Sequence, residues 1–255
     1  MIDTHCHLDQ YKEPLRVAEQ AERQGIITIG VTHLPSAFEI EFPVVRRFRK
    51  IRIALGLHPL MVEHHAREKA AFRKLASETA FIGEVGLDYS TASIADKKQQ
   101  LDSFSFVLET LASLKTTKFI TVHSRKAEQD VLSCLQHFGV LGAVLHWYSG
   151  PLGLLDKALS DGHFFSINPE MIASKKGQQI VARLPKERIL TETDGPYTSI
   201  GNRPTRPDDV RSILIYLSEL WSIPLAQVSS ILHENFMRIV NETKSANGSW
   251  QSQCQ

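Results

Sequence analysis

Residues 2–7, Ile2-Asp3-Thr4-His5-Cys6-His7, decide how this chain is read. The stretch is short, begins with a β-branched residue and ends in ionisable ones. Side chains on a strand alternate between its two faces, so positions two apart point the same way. His5 and His7 then share one face, with Asp3 on the same parity. Cys6 falls on the other face, where a small apolar thiol packs against a helix layer. Runs of the same kind recur at 26–33, 51–58, 81–88, 118–123, 143–147, 163–167 and 188–194. That makes eight candidate strands, each followed by a segment long enough for a helix. Val210, Ile213, Leu214, Leu217 and Leu220 repeat at helical spacing, as do Val228, Ile231, Leu232, Phe236 and Ile239. Pro35, Pro151 and Pro207 stand where first helical turns would begin. Eight alternations in 255 residues predict an α/β fold of the (β/α)8 TIM-barrel type, with a doubly wound open sheet as the alternative. The barrel is expected over 1–243, followed by a flexible polar tail over 244–255.

Composition is that of an ordinary globular chain, 42% hydrophobic and 22% charged. A formal charge of +1 neither demands nor excludes a nucleic-acid partner, because a local basic rim is enough to hold phosphates. Cys6, Cys134 and Cys254 are far apart and odd in number, so reduced thiols and a cytoplasmic location are expected. No secretory signal is expected, and no apolar run approaches the ~20 residues of a membrane span.

The chemistry lies in where the ionisable residues stand. His5 and His7 close the first strand, His58 the third, His123 the fifth and Asp194 the eighth; Glu84 lies in the fourth and His146 near the end of the sixth. In a β/α barrel the strand ends meet at one mouth, from which catalytic residues come. With 11 histidines in the chain, chance gives roughly 0.5 His-x-His pairs, so that pair alone says little. The later strand ends carry the argument. Four histidines and two carboxylates exceed the need of one catalytic zinc and suit two divalent ions roughly 3.5–4 Å apart. The reading assigns His5, His7 and Asp194 to one ion, His123 and His146 to the other, and Glu84 to the bridge. Zn, Mn and Mg all remain compatible. Such a pair activates water, with Asp194 accepting its proton and Glu84 fixing the spacing.

Other residues are weighed against plain structural roles. His58 is read as a substrate contact and Arg125 as a phosphate clamp, the alternatives being a structural hydrogen bond and a loop salt bridge. Trp147 and Tyr148 alternate faces, so one of them can stack on a base at the mouth. Arg203 and Arg206 follow strand eight, where barrels bind phosphate; a solvated role is equally expected. His33 ends strand two without being needed as a ligand. His64 and His65 are expected in solvent, and His137, His163 and His233 are left structural. The basic stretch from Arg46 to Arg52 is expected at the bottom face.

These motifs together resemble one family. Asp3-Thr4-His5-Cys6-His7-Leu8-Asp9, Gly56-Leu57-His58-Pro59, Gly83-Glu84-Val85-Gly86-Leu87-Asp88-Tyr89, His123-Ser124-Arg125, His146-Trp147-Tyr148-Ser149-Gly150, Glu192-Thr193-Asp194-Gly195-Pro196 and Asn235-Phe236 are similar to those of TatD-type metal-dependent deoxyribonucleases. The resemblance runs to about residue 240. It implies a barrel of the metal-dependent hydrolase superfamily, a divalent metal pair on His5, His7, Glu84, His123, His146 and Asp194, and hydrolysis of DNA, 3′-5′ exonuclease-like, on single strands or ends. A narrower resemblance, through Val31-Thr32, Pro35-Ser36-Ala37-Phe38, 53–59 and 190–197, is to the TatD-type nuclease component of Qat anti-phage defence systems. That implies operon-encoded protein partners. Val107 stands where the family commonly has glutamine, and the segment after Tyr89 is short, which puts the family's substrate preference in question. The rival readings are an ester or amide hydrolase such as a D-aminoacyl-tRNA deacylase, and a subunit whose activity depends on partners. Oligomeric state is left open.

Overall fold

A computed structural model of the chain describes residues 1–114 and 116–244. Eight parallel strands form one sheet in sequence order: β1 (Ile2–Cys6), β2 (Ile27–Val31), β3 (Ile51–Leu57), β4 (Phe81–Gly86), β5 (Phe119–His123), β6 (Val144–His146), β7 (Phe164–Ile167) and β8 (Ile189–Thr191). Helices alternate with them: α1 (Pro14–Arg23), α2 (Pro35–Val45), α3 (His65–Leu75), α4 (Ile94–Ser113), α5 (Glu128–His137), α6 (Leu152–Ser160), α7 (Pro169–Ala173), α8 (Lys175–Arg183), α9 (Val210–Trp221) and α10 (Leu225–Lys244). This is the expected barrel, not an open sheet. Between β8 and β1 the ring closes through hydrogen bonds. Asp194 N–H donates to the His5 carbonyl at 2.9 Å, and the Thr4 hydroxyl to the Thr191 carbonyl at 3.0 Å. The tail expected over 244–255 lies outside the described residues apart from Lys244, as does Cys254.

Two cores hold the barrel. The larger packs helices against the outer strand faces. The smaller fills the barrel and takes at least one residue from every strand: Ile2, Ile29, Val31, Ala54, Phe81, Phe119, Val144, Phe164 and Leu190. Phe236, Ile239 and Val240 of α10 cover its lower end. Asn235 fastens that cover, its side-chain amide donating to the carbonyls of Lys186 and Ile189 at 2.7 and 2.9 Å. Of the periodic positions on α9, Val210, Ile213, Leu214 and Leu217 are buried. Leu220 is 41% exposed and does not belong to the apolar face.

Strict alternation fails on two strands. Along β1 the partner shift is two residues on β2 for three on β1 (Asp3 to Thr28, Cys6 to Gly30). Along β4 it is two on β5 for three on β4 (Ile82 to Ile120, Val85 to Val122). Each bulge inserts one extra residue and re-aims the side chains beyond it. Ile2 and His5 have opposite parity yet both face the interior, and so do Phe81 and Glu84. The expectation that Asp3 shares the face of His5 is therefore corrected. Asp3 turns to the seam, where the backbone N–H and hydroxyl of Thr193 donate to its two oxygens at 2.9 and 2.6 Å. Burial raises its carboxyl to about 8, against these hydrogen bonds. Gly83 is required at the second bulge: its φ is +154°, and a Cβ there would meet the Thr121 methyl at 2.1 Å.

The expected ends of two strands also shift. β6 stops at His146 and β8 at Thr191, so Asp194 stands three residues beyond its strand, in the left-handed region at φ +51°.

Candidate metal centre

His5, His7, Glu84, His123, His146 and Asp194 meet at the C-terminal end of the barrel, and all but His123 are buried. Glu84 lies at their centre and its two oxygens divide the group. Oε2 is 3.4 Å from His5 Nε2 and 3.2 Å from His7 Nε2. Oε1 is 2.6 Å from His123 Nδ1 and 2.8 Å from His146 Nε2. Asp194 Oδ1 joins the first set, 3.7 Å from His5 Nε2 and 3.5 Å from His7 Nε2.

The outward hydrogen bonds decide which ring nitrogen offers a lone pair. His5 Nδ1 meets the Thr121 hydroxyl at 2.7 Å, and His123 Nε2 meets Asp88 Oδ2 at 2.8 Å. His146 Nδ1 faces Glu192 Oε1 at 3.6 Å. With the His123 Nε2–H turned to the Asp88 carboxylate, its Nδ1 is the nitrogen left for a cation, and Nε2 is the nitrogen of His5 and of His146 that lies nearest Glu84. His123 Nδ1 lies at hydrogen-bond distance from Glu84 Oε1, where a proton satisfies the pair, whereas the 3.4 and 3.7 Å gaps from His5 Nε2 to Glu84 and Asp194 suit a cation. His5 Nε2, Glu84 Oε2 and Asp194 Oδ1 are buried without a hydrogen-bond partner, which fits a divalent ion. His5, His7 and Glu84 are close enough to share one ion.

The electrostatics agree. Burial opposes ionisation of Glu84, but His58, His146, His5 and His123 outweigh it and hold the carboxyl well below its ordinary range. Burial likewise opposes ionisation of Asp194, and His7, His146 and His5 lower it. Burial disfavours a charged His146, yet Glu84 and Glu192 raise it well above the ordinary imidazole value. The anionic Glu84 carboxylate is thus balanced by protons on neighbouring imidazoles, which bound cations would displace.

His58 behaves differently. Its Nδ1 accepts the Leu60 N–H at 3.1 Å, so the proton sits on Nε2, which faces Glu84 Oε2 at 3.2 Å. That makes His58 a hydrogen-bond donor at the site. Arg125 lines the mouth, and among the described residues its side chain has no ion-pair or hydrogen-bond partner. The loop salt bridge weighed against its clamp role is absent there. The mouth is a cavity of about 620 Å³ whose wall also includes Leu60, Met61, Trp147 and Tyr197. Of the two adjacent aromatics, Trp147 takes the mouth; Tyr148 is buried with its hydroxyl on the Pro151 carbonyl at 2.7 Å. His33 lies 4.8 Å from the His7 ring and lines the mouth.

Some sequence expectations change. His65 is buried, not in solvent: its Nε2 donates to the His58 carbonyl at 2.9 Å and holds the His58 turn. Arg203 pairs with both oxygens of Asp209 at 2.7 Å and is thereby committed to its loop. In the basic stretch, Arg47 pairs with Glu19, and the backbones of Arg49 and Lys50 donate to Glu22 on α1. Cys6 is buried with its Sγ 3.6 Å from the Gly195 carbonyl, a packing role as expected.

Sequence reasoning passed over Asp88, Glu192 and Thr121. Glu192 is buried with its oxygens taken by Ser166 and Asn168, and it accepts the Trp147 N–H at 3.1 Å. Parity could have found two of the three, since Glu192 precedes Asp194 by two and Thr121 precedes His123 by two. Asp88 lay in a quoted motif without a role.

Residues 2–241 match the family model described as TatD related DNase. A human protein named Deoxyribonuclease TATDN3 is 24% identical over 94% of each chain. An uncharacterized metal-dependent hydrolase of Buchnera aphidicola is 28% identical over 94% of this chain and 99% of its own. Among solved structures, the TatD homologue YJJV of Escherichia coli superposes with a TM-score of 0.81 at 22% identity, covering 92% of this chain and 95% of that one.

Proposed function

The chain belongs to the TatD-related DNase family, whose members include metal-dependent hydrolases, and on that premise we propose that it is a two-metal phosphodiester hydrolase that cuts DNA. The observation that carries this reading is Glu84. One of its oxygens serves His5 and His7, the other His123 and His146. A carboxylate shared in this way would serve two cations at once. His5, His7 and Asp194 would hold one and His123 and His146 the other.

Bound there, divalent ions acidify water, polarise phosphoryl oxygens and neutralise the leaving oxygen. The protein's own groups do the rest. Asp194, held below the ordinary carboxylate range, stays ionised at neutral pH and accepts the proton of the attacking water. His58 donates its Nε2–H into the site and orients a substrate oxygen. Arg125, unpaired at the rim, clamps a phosphate through its guanidinium fork. Trp147 and Tyr197 offer ring faces to an unstacked base, which favours single strands or frayed ends. A mouth of about 620 Å³ encloses little more than one nucleotide, in keeping with exonuclease-like removal from an end.

The test is digestion of end-labelled single- and double-stranded DNA with Zn, Mn or Mg, by the native protein and by Glu84→Ala. The native protein should release short products only with metal, and the variant none. Product length separates end-trimming from internal cutting, and full activity in Glu84→Ala would sink the assignment. The likeness to the Qat component adds a second proposal, a role in anti-phage defence beside operon-encoded partners in a bacterial cytoplasm. Plaque counts on cells with and without Glu84→Ala check that role; equal protection rejects the nuclease as its source.

A further inference from the structure

Beside the mouth lies a second cavity of about 430 Å³. It shares Arg125 and Ser149 with the mouth, so the two are neighbours on either side of those residues. Its own wall adds Lys126, Lys176, Glu128 and Gln179. We propose that this cavity is an anion subsite that takes the backbone phosphate next to the one being cleaved, and so selects single-stranded polynucleotide over small phosphodiesters. The proposal rests on reading the mouth as a DNA phosphodiester site.

Three observations carry it. The first is position: the second cavity adjoins the mouth at Arg125 and Ser149, where the next phosphate of a strand leaving the mouth on that side would lie. The second is charge. Arg125, Lys126 and Lys176 face one acid, Glu128. Among the described residues neither Arg125 nor Lys126 has an ion-pair or side-chain hydrogen-bond partner. Glu128 opens α5 and is buried against Gly150, where its charge is offset by the positive start of its own helix. The third is how the cations are held. Lys126 sits on a backbone with φ +55°, a conformation seldom taken by lysine, in the turn between β5 and α5. Lys176 is tied across the cavity rim by donating its ammonium to the Ser149 carbonyl. It lies in the first turn of α8, and α6 begins at Leu152 on the same wall, so two helix starts add partial positive charge. A phosphate entering here gains two cations that the fold has already positioned but not neutralised with carboxylates.

The inference is tested by fluorescence anisotropy with fluorescein-labelled octathymidylate and dithymidylate in EDTA, across a salt series. Native protein is compared with the Lys126→Ala/Lys176→Ala and Lys126→Arg/Lys176→Arg double variants. Native protein should bind the longer strand more tightly. The alanine pair should lose about tenfold of that length advantage. Its salt slope on octathymidylate should fall by about 1.4, near 0.7 for each lost single-strand phosphate contact. The arginine pair should keep both. An unchanged length advantage and salt slope in the alanine pair overturns the subsite. So does a parallel loss of dithymidylate binding, because the lysines would then be supporting the mouth. Cleavage of the same octathymidylate by metal-loaded native protein is measured alongside. Its absence, with the length-dependent binding intact, refutes the hydrolase reading and leaves the subsite standing.

Discussion

The two ends of this barrel are built on the same eight strands and share no chemistry. At the lower end Phe81, Phe119, Val144, Phe164 and Leu190 fill the interior under Phe236, Ile239 and Val240. At the upper end the same strands, one or two pleats further on, present Glu84, His123, His146 and Asp194. Between them sit small hydroxyl residues, Thr121 and Ser166, hydrogen-bonded to His5 and Glu192. On β5 the gradient runs from apolar Phe119 through the Thr121 hydroxyl to ionisable His123. The lower end stabilises the molecule by removing apolar area from water. The upper end works against stability by burying carboxylates and bases that are complete only with cations. The lower end is thus what makes the upper end tolerable.

The sharpest break of this contrast is at Glu84. Glu84→Gln should take metal-dependent phosphodiester hydrolysis to background, and it should also lower the unfolding temperature of the metal-free protein, because the imidazoles around it favour the ionised carboxylate. Native turnover in the folded variant would remove Glu84 from the site. At the other end, Phe236→Ala should cost about 3–5 kcal/mol of stability by opening a cavity under the barrel. Its kcat/KM per folded molecule should stay native; denaturant melts with a calibrated active fraction check both. Asp88→Asn and Glu192→Gln test the layer that aims the imidazoles, and each should lower metal affinity or activity by about 10–100-fold. Titration with a metal-binding dye separates lost affinity from lost turnover.

The smallest effect concerns pH. His163 lies at the start of β7, far along the chain from the ligands, and burial lowers its imidazole to about 4. Its folded value is below the unfolded one, so the unfolded state binds a proton first as the pH falls. The folded state therefore loses stability from about pH 6.5 down to about pH 4, and little more below that. His163→Phe should flatten that limb. An identical acid limb in urea melts would show that His163 is not its source.

Much of this arrangement was legible in the residue order. Eight apolar runs with ionisable ends state a barrel and its mouth, because strand periodicity and strand ends are local properties. His123 and His146 stand where parity puts them: Phe119, Thr121 and His123 keep one face along β5. Parity failed on β1 and β4. Each carries an extra residue, and nothing in Asp3-Thr4-His5 or Ile82-Gly83-Glu84 alone tells whether a neighbouring strand will accommodate it. His65 was misread for a similar reason: its charged neighbours suggest solvent, but its partner is the backbone of His58, seven residues back.

The sequence by itself thus determined which elements form and which strand ends carry bases and acids. Only the tertiary structure decided how those groups are aimed. The bulges turn His5, His7 and Glu84 inward and Asp3 to the seam. Hydrogen bonds with Asp88 and Leu60, one reached across the fold and one around a turn, set which nitrogen of His123 and of His58 bears a proton. Periodicity is a property of one strand, whereas register and tautomer depend on the partners that folding brings beside it.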